Sequence, residues 1–139
     1  MKSYTDLKQT KKLTEFLPLE SADMRYGYIA PYDYSDRMYD GGYDDVPYPK
    51  DFFKKNPNFY EDEYDGSLPC WSLSALLNLI PKRIKDYNVL RIDVNEISFA
   101  IWYDKIGYGV NNDLPNITME SAVDACVEMI IRLHEQKLL

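Results

Sequence analysis

The sequence predicts an α+β fold: a small antiparallel sheet built on one β-hairpin at about 87–104, packed by an N-terminal helix, a short central helix and a long C-terminal helix. Three stretches carry that reading. Leu90, Ile92 and Val94 alternate with Arg91 and Asp93, and Ile97, Phe99, Ile101 and Tyr103 continue the period of two after a tight turn near Asn95-Glu96. Leu73, Leu76, Leu77 and Ile80 recur at helical spacing within "LPCWSLSALLNLIP". "ESAVDACVEMIIRLHEQKLL" closes the chain with an apolar stripe of Val123, Cys126, Val127, Ile130, Leu133 and Lys137, with Met129 beside it.

Residues 4–17 read as the first helix. Thr5 serves as N-cap, Asp6 lies in the first turn, and Leu7, Leu13, Phe16 and Leu17 form an imperfect apolar face that Pro18 stops. "MRYGYIAPYDY" alternates through Met24, Tyr26, Tyr28 and Ala30, which predicts a short strand ended by Pro31. Over 31–66 the Gly41-Gly42 pair and Pro47, Pro49 and Pro57 interrupt the chain too often for long elements. That segment is expected to be a long, ordered Tyr/Asp-rich excursion made of turns and 3₁₀ pieces. Ser72 then caps a helix from Leu73 that Pro81 limits. Ser121 or Thr118 starts the closing helix, and "DKIGYGVNNDLPN" between hairpin and helix has room for one more short strand. One face of the hairpin is expected to pack inward. Trp102 falls on the mixed face, which implies a second layer or loop above it. A length of 139 residues suits a single domain over 1–139.

The formal charge is −7 and is concentrated. Between Asp23 and Asp65 lie 11 acidic and 5 basic side chains, together with 9 of the 13 tyrosines. An acidic chain is repelled by phosphate backbones and anionic membranes, so neither direct nucleic-acid binding nor a membrane partner is expected. Lys82, Arg83 and Lys85 follow the central helix and read as a complement to its C-terminal dipole. No apolar run of spanning length and no leader are read, and Cys70 and Cys126 are expected to be reduced, which together make the cytoplasm the expected location.

Chemistry is sparse. Cys70, just before a helix, and His134, the sole histidine, are the one conceivable nucleophile–base pair, and nothing in the sequence brings them together. Two cysteines and one histidine, far apart, do not make a zinc site. "YSDRMYDGGYDD" and "YEDEYDG" are carboxylate-rich but lack the alternating ligands and terminal Glu of a calcium loop. No catalytic residue, cofactor or metal is therefore assigned. The expected function is that of a non-enzymatic accessory protein acting through a protein partner. The alternatives are an acidic nucleic-acid mimic that inhibits a DNA-binding protein, and a Cys70-dependent enzyme. Tyr39, Tyr43, Asp44, Asp45 and Tyr48 are the candidate partner-binding residues, because tyrosine is enriched at interfaces. The competing expectation is that these rings pack locally to hold their own loop.

"ESADM" (20–24), "LPCWSLSALLNLIP" (68–81) and "VDACVEMIIRLHE" (123–135) resemble a group of small uncharacterised proteins of gut bacteria and their phages and mobile elements. A Trp-Ser-Leu-x-Ala-Leu-Leu helix, a hairpin and an Asp-Ala-x-x-Glu-Met helix recur in that group. The resemblance implies a bacterial or phage setting and carries no activity, cofactor or catalytic residue.

Overall fold

The computed structural model describes residues 2–29, 32–34, 37–39, 41–51 and 67–139, with backbone alone at 29, 32–34 and 37–39. The fold is α+β, with three α-helices and antiparallel sheets among the described residues. The chain divides into two compact units: Met1–Thr5 with Ser72–Leu139, and Asp6–Trp71.

In the Asp6–Trp71 unit, α1 spans Leu7–Leu13. Asp6, rather than Thr5, is its cap: the carboxylate accepts from Gln9 N at 2.8 Å while Gln9 Oε1 accepts from Asp6 N at 3.1 Å. This reciprocal pair satisfies two orphan donors at once, and a lone threonine satisfies one. The helix is shorter than the 4–17 expected. Its last turn loosens through Glu15 N→Lys12 O and Phe16 N→Leu13 O before Pro18. The predicted strand divides at Gly27 into β1 (Met24–Tyr26) and β2 (Tyr28–Ile29). Beyond it, β3 (Tyr32–Tyr34) pairs with β4 (Arg37–Tyr39), and β2 pairs with β5 (Gly42–Tyr43). A three-stranded sheet then runs β6 (Tyr48–Pro49), β1, β7 (Leu68–Cys70). The described part of the excursion is thus a series of short ladders, not the turns and 3₁₀ pieces expected. Tyrosine favours a pleated, half-buried surface, and each short pairing satisfies backbone groups that a loop leaves to water. Pro69 is tolerated in β7 because, among the described residues, that strand is an edge. Residues 52–66, with Phe52, Phe53, Phe59 and Tyr60, lie outside the described residues. Leu13, Leu17, Ala22, Tyr26, Cys70 and Trp71 are buried, and Trp71 Nε1 donates to Ser21 Oγ at 2.9 Å.

The other unit holds the hairpin. β9 (Asn88–Val94) pairs along its length with β10 (Phe99–Lys105), closed by a four-residue turn in which Asn95 Oδ1 accepts from the Ile97 and Ser98 amides. Ile97 belongs to that turn and is exposed, so the inward alternation resumes at Phe99. β8 (Arg83–Ile84) flanks the start of β9. β11 (Gly109–Val110) and β12 (Ile117–Met119) both pair with β10, where one short strand was expected. α2 (Leu73–Leu79) begins at the Ser72 cap, whose Oγ accepts from Ala75 N. α3 (Ala122–Glu135) begins at Ser121 and packs on β10, β12 and α2. It buries Val123, Ala125, Cys126, Val127, Met129, Ile130 and Leu133.

Lys137 leaves that stripe. It is exposed and adopts φ 61°, with its N–H on His134 O and the next amide on Leu133 O. That is the pair of hydrogen bonds of a helix end normally built around glycine. Trp102 is half-buried, and its Nε1 donates to Asp104 Oδ1 at 2.8 Å on its own strand. Asn88, almost wholly buried, donates to Ile84 O and accepts from Asn111 Nδ2. These two bonds tie the β8–β9 turn, with Lys85 and Asp86 both at positive φ, to the chain after β11.

Candidate functional site

Cross-strand pairing places Leu90 opposite Tyr103, Ile92 opposite Ile101 and Val94 opposite Phe99, so all six side chains share one face of the sheet. α3 covers the β10 half: Phe99, Ile101 and Tyr103 are buried. The β9 half is left open, with Ile92 42% and Val94 67% exposed. Beside it runs α2, where Leu76 and Ala75 turn inward while Leu73 and Leu77, one turn apart, are half-buried. The result is an open groove of about 720 Å³ lined mostly by the aliphatic side chains of α2 and β9, Leu73, Leu77, Val89, Leu90 and Ile92, and completed by Ser74, Asn78, Lys82 and Arg83.

The two cations are anchored. Lys82 Nζ donates to Leu77 O and Ile80 O, so it closes the carbonyl end of α2 as the charge pattern predicts, and Arg83 Nη1 donates to Asp86 O. Tyr103 Oη donates to Pro81 O at 2.6 Å and fixes the chain between α2 and β8. Burial holds the Tyr103 phenol well above its usual range, so it stays a donor.

The backbone of β9 adds a second feature. Antiparallel strands turn the N–H and C=O of alternate residues to opposite flanks. Ile106 N bonds Tyr87 O and Asn95 N bonds Ser98 O, which turns residues 87, 89, 91, 93 and 95 toward β10. Leu90 N bonds Lys82 O on the other flank. Ile92 and Val94 therefore present N–H and C=O outward, beyond the end of β8, and no strand among the described residues pairs with them. An apolar groove and an unpaired strand edge lie side by side. A sequence pattern of alternation reads Ile92 and Val94 as core; nothing in it tells a covered strand from an open one.

The tyrosine candidates are distributed differently. Tyr43 is half-buried on β5, tilted against Tyr28 at 5.1 Å between ring centres, with Lys11 Nζ 5.6 Å from its own ring. Asp44 N bonds Gly27 O, and its carboxyl is raised above the usual range by burial and then by Asp45. Asp45 is exposed, and Tyr48 is half-buried on β6 opposite Arg25. Tyr39 lies on β4, and its side chain is outside the described residues. Tyr43 and Asp44 thus have local packing partners. "YEDEYDG" (60–66) lies outside the described residues, and among those described no group of three His, Cys, Asp or Glu is placed to hold a metal ion.

Cys70 and Cys126 are both fully buried thiols. Cys70 lies on β7 in one unit and His134 on α3 in the other. Burial pushes the Cys126 thiol up to about 12, with Lys82 pulling the other way. In the unfolded chain the thiol ionises near 9, so the folded state holds the extra proton above that pH. Its contribution to stability is complete below pH 9 and falls by up to about 1.4 kcal/mol per pH unit as pH rises toward 12. Cys126→Ala is expected to flatten this alkaline decline in urea titrations. In native protein an aromatic disulfide reagent is expected to label neither thiol, and in denaturant both; rapid native labelling of Cys70 would contradict its burial.

No helix among the described residues is long and apolar enough to cross a membrane. Comparison with family models, with curated proteins and with solved structures finds no match.

Proposed function

We propose that this chain is a non-enzymatic protein-interaction module that binds a peptide segment in the groove between α2 and β9. The observation that carries this reading is the coincidence of the apolar lining with the outward amides and carbonyls of Ile92 and Val94. Exposed strand edges of natural proteins are usually blunted by charge, proline or a covering element; an apolar one beside a groove suits strand addition. The resemblance to small proteins of gut bacteria and their phages supports a cytoplasmic, bacterial or phage setting for this activity.

A peptide-display library panned on the full chain tests the reading. The expected result is a set of binders with apolar residues at alternate positions, each losing tenfold or more of its affinity for the Ile92→Asp variant. Ile92 is exposed enough for that variant to fold. Failure to enrich any binder, or binders indifferent to Ile92→Asp, would overturn it.

A further inference from the structure

The same edge carries information about its occupant, on the reading that the groove binds peptide. Consider first a second copy of this chain. An antiparallel pairing centred on Ile92 sets Arg91 opposite the second copy's Asp93, which is favourable. It also drives the second copy's Val94 into the place opposite Leu90, where Lys82 already sits with its carbonyl 3.0 Å from Leu90 N. A pairing centred on Asp93 clears Lys82 but sets the two Asp93 carboxylates directly opposite each other. That is the non-hydrogen-bonded position, the closer of the two cross-strand geometries, where like charges destabilise. Beyond Val94 the chain has turned at Asn95. Self-association through this edge is blocked at one register by main chain and at the other by charge.

The charge left over is specific. Arg91 Nε pairs with Asp104 Oδ2 at 3.2 Å, so Arg91 is balanced within the sheet. Asp93 is exposed, faces Ala100 across the ladder, and makes no ion pair among the described residues. Its other flank is the open edge. Ile92 and Val94, on either side of it, point to the groove face, and Asp93 points to the other.

We infer that the groove takes an extended segment, added antiparallel to β9, with an apolar–basic–apolar alternation. Its two apolar residues lie opposite Ile92 and Val94, exchange backbone hydrogen bonds with them and lay their side chains against Leu73 and Leu77. Its Lys or Arg lies opposite Asp93. The order follows from the pleat: a strand that hydrogen-bonds Ile92 and Val94 has one intervening residue, and that residue faces the carboxylate. The Asp93 carboxylate, unpaired among the described residues, attracts such a segment and disfavours an acidic one.

Three capped pentapeptides test this against the isotope-labelled full chain by amide shift titration. One has a Val-Lys-Val centre, one a Val-Glu-Val centre, and one is the Val-Lys-Val peptide with both valine nitrogens methylated. The first is expected to move the Ile92 and Val94 amides, to bind about fivefold more tightly than the second, and to lose binding on methylation. Asp93→Lys is expected to reverse the preference between the first two. If the methylated peptide binds as well as its parent, strand addition is wrong. If the Glu peptide binds equally, the role of Asp93 is wrong. In either case the groove reading survives. If none of the three moves groove resonances while a library-selected peptide does, this inference falls alone; if neither does, both fall.

Discussion

Ile101→Ala is expected to destabilise the fold by about 2–5 kcal/mol, and Ile92→Ala, at its cross-strand partner, by less than about 1 kcal/mol. The two isoleucines share one face and one register, so β-propensity and chemistry are matched. They differ in burial. Ile101 is fully buried under α3, and removing its side chain leaves a cavity among Tyr103, Ile117 and the helix that close packing does not refill. Ile92 is 42% exposed, so truncation returns a half-wet surface to water with little cavity term. Urea unfolding of the two variants checks this, read as midpoint shifts at unchanged slope. Equal costs would mean that the β9 half of the face is covered in solution, and the groove with it.

Trp71→Ala is expected to cost about 3–5 kcal/mol in the Asp6–Trp71 unit. Trp71 is fully buried, is the largest side chain so placed, and satisfies its one polar atom on Ser21 Oγ at 2.9 Å. Trp71→Phe keeps most of the apolar volume and leaves Ser21 without this partner. Its cost relative to the parent, compared with Ser21→Ala and the double variant, isolates a coupling of about 1 kcal/mol for the bond. Trp71 is itself replaced in three of these variants, so unfolding of the Asp6–Trp71 unit is read from the exchange of backbone amides within it, such as those of Tyr26 and Cys70, across a urea series. A coupling near zero would show that the bond exchanges with water at no loss.

Elements whose reasons are local were legible. Ser72 and Ser121 cap the helices expected of them, Pro18 and Pro81 lie beyond the ends they were read to set, and alternation over 88–94 and 99–105 finds the hairpin. The misses share a cause: partners distant in sequence. β7 exists because Leu68–Cys70 meets β1, and β12 because Ile117–Met119 meets β10; neither stretch alternates for long enough to announce itself. Asp6 displaces Thr5 as cap through a Gln9 that pattern reading passed over. The site was missed for a related reason. Its residues are ordinary apolar positions of α2 and β9, and what makes them a groove is the side of the sheet that α3 leaves uncovered. The conspicuous tyrosines and aspartates cluster in sequence at 39–48, where Tyr43 and Asp44 meet neighbours in their own unit.

The described ends of the larger unit meet in one place. Tyr4 bridges Ser72, Leu73 N bonds Ser3 O, and Lys2 Nζ reaches Asp124 at 2.7 Å. Everything from Asp6 to Trp71 therefore leaves and returns through a single antiparallel contact, as a parenthesis does in a sentence. Closing a loop costs entropy that grows only with the logarithm of its length. The groove-bearing unit thus pays nearly the same for a long parenthesis as for a short one. The stretch between Thr5 and Ser72 can therefore lengthen or shorten at little added cost to the closure itself.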